Sequence, residues 1–189
     1  MQTAIKILCI LCFIVAIYSG IQFTTCINYM AKLRDIDEAS HSLLIALLDA
    51  ETGQRGYIIT GDDLYLDPYQ AGIEAAPRKL NDLITISDHT PQTATVANLA
   101  QVTHQKLTEL AETIQLRRNG NFSASAHEVD NHLGKNLMDT IRLRLDSIQF
   151  WSNEQYQATK DTGQLYAEIG FTTMLMWWIS ATLLLVRRT

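Results

Sequence analysis

The sequence predicts an all-α fold, a membrane-anchored up–down four-helix bundle set between two transmembrane helices. Three observations predict it. The 189 residues include only three prolines and nine glycines, and good helix formers dominate most of the chain. Two uncharged apolar runs lie near the two ends. Between them, apolar residues recur at three-to-four spacing in four successive segments.

The first apolar run is ILCILCFIVAIYSGI at 7–21, extended by Phe23; the second is IGFTTMLMWWISATLLLV at 169–186. A membrane span needs about 20 largely apolar residues, so the second run meets the requirement and the first is near its lower bound. A cleaved signal peptide is the alternative for the first run. Its length and the absence of an A-x-A site after it favour an uncleaved anchor. Lys6 precedes the first span, and Arg187 and Arg188 follow the second. Positive charge at both ends predicts cytoplasmic termini in an inner (plasma) membrane, with the middle of the chain periplasmic or extracellular. The expected division is 1–23 for the amino terminus and first span, 24–165 for the external bundle, and 166–189 for the second span and a short tail.

The first bundle helix continues from the span to about residue 60, with Ile27, Met30, Leu33 or Arg34, Leu44, Leu47 and Leu48 as its stripe and DIDEASH at 35–41 as a polar gap. The second starts between Asp62 and Pro68, with Asp67 and Pro68 as N-cap and first helical residue. Tyr69, Ile73, Ala76, Leu80 and Leu83 mark its face, Pro77 is expected to kink it, and Ser87–Pro91 ends it. The third runs from about 92 to 118 on Val96, Leu99, Val102, Leu107, Leu110 and Ile114, closed by Gly120. The fourth starts near Ser123 and carries Val129, Leu133, Leu137, Ile141, Leu145, Ile148 and Trp151 into the second span. Short connections between such helices favour antiparallel neighbours.

Composition and motifs exclude several functions. Fifteen basic against 20 acidic side chains, with no basic stripe or aromatic platform, argue against nucleic-acid binding. HEVDNH at 127–132 places its second histidine five residues after the first, which points the two rings apart on a helix and excludes the HExxH zinc geometry. No Glu-x-x-His repeats, haem-attachment motif or nucleophile–base set is present, so no metal, cofactor or enzymatic activity is expected. Cys9 and Cys12 fall inside the first span and read as apolar fillers. Cys26, just outside it, is expected to crosslink two copies if their first helices face one another.

The stretch DAETGQRGYIITGD at 49–62 is the most informative. Glu51 and Arg55 are four apart and can pair on one helix face, as a structural ion pair or as part of a ligand site or switch. Gly53 and Gly56 each cost a helix about 1 kcal/mol, so a close neighbour is expected there. Gly61 suits a left-handed helix end, with Asp62 or Asp63 starting the next element. Arg117 and Arg118 suit the negative end of a helix dipole and could alternatively grip an anion.

DAETGQRGYIITGD, YLDPY at 65–69 and KLTELAETIQLRRNG at 106–120, in that order and separation, resemble the CHASE3 extracellular sensory domain. The resemblance covers about residues 27–165. It implies the helical input end of bacterial transmembrane sensors such as histidine kinases, diguanylate cyclases and chemoreceptor-like proteins. The matched positions are Asp49, Glu51, Thr52, Gly53, Arg55, Gly56, Tyr57, Thr60, Gly61, Tyr65, Pro68, Tyr69, Arg117 and Arg118. The implied partners are the lipid bilayer, a second copy in a homodimer, a separate kinase, cyclase or chemoreceptor transmitter, and an unidentified small-molecule or protein ligand. Only three residues follow the second span, so no output domain is expected in this polypeptide. The alternative is a non-signalling, membrane-anchored interaction or scaffold protein of the cell envelope. The distal turns and the Glu51–Arg55 region are the expected input site.

Overall fold

The computed structural model describes residues 2–125 and 132–186, and every regular element among them is helical. Helix α1 spans Gln2–Thr60, α2 Leu66–Ser87, α3 Thr93–Arg118 and α4 Leu133–Val186, with a 3-10 turn at Asp63–Tyr65 between α1 and α2. Residues 122–125 add a helical turn, which Asn121 caps by accepting a bond from the Ala124 N–H at 3.1 Å. Val129 and most of HEVDNH lie outside the described residues.

The chain divides into two compact units, residues 34–152 and the paired stretches 1–33 and 153–189. In the first unit, four helical segments supply one core. Ile36, Leu43 and Leu47 of α1 meet Ala76 and Leu83 of α2, Val96 and Leu99 of α3, and Met138, Ile141, Leu145 and Ile148 of α4. Their directions follow from their neighbours. Gly53 abuts Tyr65 and Tyr69 while Gly72 abuts Ala46 and Ala50, so α1 and α2 run oppositely. Glu51 faces Lys106 and Gln54 faces Glu109, so α1 and α3 run together. Arg144 bonds Asn98 while Gly134 lies on Glu109, so α3 and α4 run oppositely. The order is up, down, up, down.

The α1 stripe differs from its sequence reading. DIDEASH is no gap in the core, because Ile36, Ala39 and Ser40 within it are buried while Asp35 and Glu38 point outward. Ser40 can be buried because its hydroxyl bonds the Ile36 carbonyl at 2.8 Å. In α4, Met138 is buried and Leu133 is exposed, so that stripe begins later than expected. Helix α2 starts at Leu66 and continues through Pro77, placing Asp67 and Pro68 inside the first turn instead of at the cap.

The turns follow their sequence signals. Gly61 has φ +72°, and its N–H bonds the Tyr57 carbonyl at 2.7 Å. The Asp62 carboxylate caps the 3-10 turn through the Leu64 N–H at 3.0 Å. Gly120 has φ +78°, its N–H bonds the Arg117 carbonyl, and Asn121 closes back on Leu116, as a helix-ending glycine allows.

In the second unit, the early part of α1 lies against the late part of α4. Cys9 and Ser180 approach to 3.0 Å, and the Phe13 and Trp177 rings are 5.9 Å apart. Gly170 faces Ser19, and Gly163 faces Cys26. Each helix holds an 18-residue window long and apolar enough to cross a membrane, and little of either window is buried. Ile10, Phe13, Ile17, Phe171, Trp178 and Leu185 all face outward. Exposed apolar surface on this scale fits lipid, consistent with a membrane protein.

Candidate functional site

The sequence-selected residues separate into groups that do different work. Gly53, Gly56, Tyr57, Tyr65 and Tyr69 bring α1 and α2 together, and Pro68 sits half-buried in the first turn of α2. A side chain at Gly53 would begin 2.5 Å from the Tyr69 nitrogen and 2.7 Å from the Tyr65 carbonyl oxygen. At Gly56 it would collide with the Tyr65 ring. Tyr57 and Tyr69 are buried with Ala50, Leu66, Leu110 and Ile114 in a second apolar cluster. Burial raises the Tyr69 phenol above its ordinary value, with the Arg118 charge pulling it partly back.

A second group locks the turns. Arg117 reaches from the end of α3 to the α1–α2 turn, where its Nη2 lies 2.8 Å from the position a Gly61 side chain would take. Its guanidinium also stacks over Phe122, 4.8 Å from the ring centre. Gly61 therefore serves two needs, its positive φ and room for Arg117. The expectation that Arg117 merely answers the helix dipole understates this contact between two turns. Thr60 bonds back to the Gly56 carbonyl at 2.8 Å and accepts from the Asp62 N–H at 3.1 Å. Arg118 is exposed and lines a shallow hollow with Tyr57, Asp63, Asp67 and Gln70. Asp49 and Thr52 are exposed on α1.

The third group corrects the expected Glu51–Arg55 pair. Glu51 turns instead to Lys106 of α3, 3.5 Å away, and Arg55 is exposed with no ion-pair partner among the described residues. Lys106 is only 1% exposed and bonds Glu109, itself 5% exposed, at 2.9 Å. Buried Gln54 donates toward the same Glu109 carboxylate at 3.4 Å, and Thr113 bonds the Glu109 carbonyl at 2.7 Å. Gly134, on the first turn of α4, lies over the triad: a side chain there would begin 2.9 Å from Glu109 Oε1 and 3.0 Å from Lys106 Nζ.

Sequence reasoning missed Lys106, Glu109 and Gly134. One signal was available. Lys106 stands seven residues after Leu99 and Glu109 three further on, so both continue the buried face of α3. Such a triad contributes little to stability, since well-packed apolar residues commonly do as well or better in its place. It floors a cleft of about 410 Å³ walled by Arg55, His132, Lys135, Met138, Asp139 and Arg142. Lys135 and Arg142 share Asp139, at 2.6 and 3.1 Å, and this contact lowers the Asp139 pKa through its bond from Lys135 first. A concave surface with convergent buried polar groups is what small-molecule sites present, which makes this cleft the candidate site.

The comparisons with known proteins agree with this architecture. No curated protein matches the chain. Among solved structures, the sensor domain of the Rhodopseudomonas palustris histidine kinase HK9 is similar, with a TM-score of 0.57 and 22% identity over 64% of this chain and 94% of that one. That likeness concerns the fold. The CHASE3 domain family matches residues 28–163, which contain the helical core, both glycine turns and the triad. The chain therefore belongs to the CHASE3 family of sensory input domains, flanked here by two candidate membrane-spanning helices.

Proposed function

We propose that the protein is the signal-input part of a transmembrane sensor. Its helical domain would lie outside the inner membrane, detect a stimulus there, and pass a change in helix packing inward to a transmitter. One observation carries the reading. The two helices that hold the membrane-length apolar windows, α1 and α4, also supply residues of the domain core and of the candidate cleft. A stimulus that favours one packing of these helices over another has a direct covalent route to the spans. Lys6 and the arginine pair that follows the second apolar run support cytoplasmic termini. The family's sensory character favours a homodimer working with a histidine kinase, cyclase or chemoreceptor transmitter.

The test is crosslinking of the intact protein in native membranes, followed by affinity purification and mass spectrometry. The expected result is recovery of a transmitter protein. An eluate holding only this chain, or only envelope scaffold proteins, refutes the reading and supports a docking role instead.

A further inference from the structure

We propose that the cleft binds a small zwitterion of the α-amino-acid class, its ammonium group on the floor and its carboxylate on the rim. The inference rests on reading the chain as an input module, and it names the chemistry of the input.

The charges are graded along the cleft. On the floor, Glu51 and Glu109 oppose Lys106, leaving one net negative charge on side chains that are 18%, 5% and 1% exposed. On the rim, Lys135 and Arg142 share the single carboxylate of Asp139, leaving one net positive charge. Exposed Arg55 adds a second. Counted over the described lining residues, the cleft is thus negative inside and positive outside. A simple anion is drawn to the rim and repelled by the floor, and a simple cation meets the reverse. A dipolar ligand satisfies both.

The functional groups match as well. An ammonium offers three donors to carboxylates that have lone pairs to spare beyond their bonds to Lys106, Gln54 and Thr113. A carboxylate suits the planar fork of a guanidinium, which both Arg55 and Arg142 present. A bare metal ion is disfavoured, because no group of three or more His, Cys, Asp or Glu side chains that could hold one lies among the described residues. The volume of about 410 Å³ falls within the roughly 300–1,000 Å³ typical of small-molecule sites. Gly134 keeps α4 close to the floor groups, so a larger residue there would press on the triad.

The test uses the full chain purified in detergent, titrated by calorimetry with each standard α-amino acid. Methylammonium and acetate serve as the two half-ligands, and glycine betaine as a zwitterion without N–H donors. At least one amino acid is expected to bind with a dissociation constant of about 1 mM or tighter, well ahead of all three controls. Glu109→Gln and Arg55→Gln should each weaken it by about tenfold or more. Should Glu109→Gln fail to fold, Arg55→Gln carries the test, because Arg55 is exposed and outside the core. Absence of binding by every amino acid, equal binding of a half-ligand or betaine, or full affinity in Arg55→Gln overturns the proposal. None of these results bears on whether a transmitter co-purifies, so the two readings fail separately.

Discussion

Gly53→Ala tests the packing of α1 on α2 at its tightest point. In a helix interior, alanine is favoured over glycine by about 1 kcal/mol, so an open site would be stabilised. At Gly53 the new carbon would begin 2.5 Å from the Tyr69 nitrogen, 2.7 Å from the Tyr65 oxygen and 2.9 Å from Tyr69 Cβ. Comfortable contacts between carbon atoms lie at about 3.5–4.0 Å, so the start of α2 must retreat by roughly 1 Å. Two of the three obstructing atoms are backbone and cannot rotate aside. The retreat also loosens Tyr69 and Leu66 from their cluster with Tyr57 and Leu110. Overpacking of this kind costs about 1–3 kcal/mol, and because backbone atoms obstruct here the upper part of that range applies, so that after the propensity gain the net loss is up to about 2 kcal/mol. Gly56→Ala is the control. Its obstruction is the Tyr65 ring from Cγ outward, which is 45% exposed and can turn where backbone atoms cannot, so that variant should lose less than Gly53→Ala. Unfolding of the full chain in detergent, followed by far-ultraviolet circular dichroism, measures both. A Gly53→Ala protein as stable as the parent, or more so, refutes the close crossing.

Three further outcomes are expected. Lys106→Ala leaves the Glu109 carboxylate buried without its main partner and should cost about 3–5 kcal/mol, whereas Lys106→Met combined with Glu109→Leu should cost far less; equal losses in denaturation would show that the triad is not a coupled unit. Gly163→Cys should form an intrachain disulfide with Cys26, since the two Cβ atoms would be 3.4 Å apart, close to the usual 3.5–4.5 Å; mass spectrometry that finds only interchain crosslinks would contradict the pairing of α1 with α4 there. The Tyr69 phenol is raised above 10.0 in the folded protein, so its contribution is fully present below pH 10 and is lost as pH rises through the folded value. Tyr69→Phe should therefore flatten the alkaline loss of stability, and an unchanged pH profile would show that Tyr69 is not protected by burial.

Local signals were the legible part of this fold. Helix periodicity, the glycine ends at 61 and 120 and the apolar faces of α2 and α3 all depend on neighbours within a few residues, and they stand where the sequence places them. Gly53 and Gly56 were legible for a related reason: a costly residue in a helix needs a neighbour that excuses it, even though the sequence does not name Tyr65 or Tyr69 as that neighbour. Gly72 pressed on Ala46 and Ala50 shows the same logic at a position sequence analysis passed over.

The candidate site was hidden because its pairings are long-range and polar. Spacing offered Glu51 a partner four residues away in Arg55, and in an isolated helix that pair is reasonable. In the folded domain Lys106 arrives from α3 with its ammonium almost wholly buried, and a buried cation without counter-charge costs far more than an exposed arginine that stays in water. Lys106 therefore takes Glu51 as well as Glu109, and Arg55 is released to the rim. The same competition accounts for Leu107, which the sequence assigns to the stripe and which is only partly buried, while its polar neighbour occupies the interior. Burial of charge where leucine would serve the fold is a departure from local rules, and departures of that kind concentrate at functional sites. Here the departure coincides with an open cleft, a glycine-thinned α4 and an arginine with no ion-pair partner among the described residues, all drawing on the helices that hold the candidate spans.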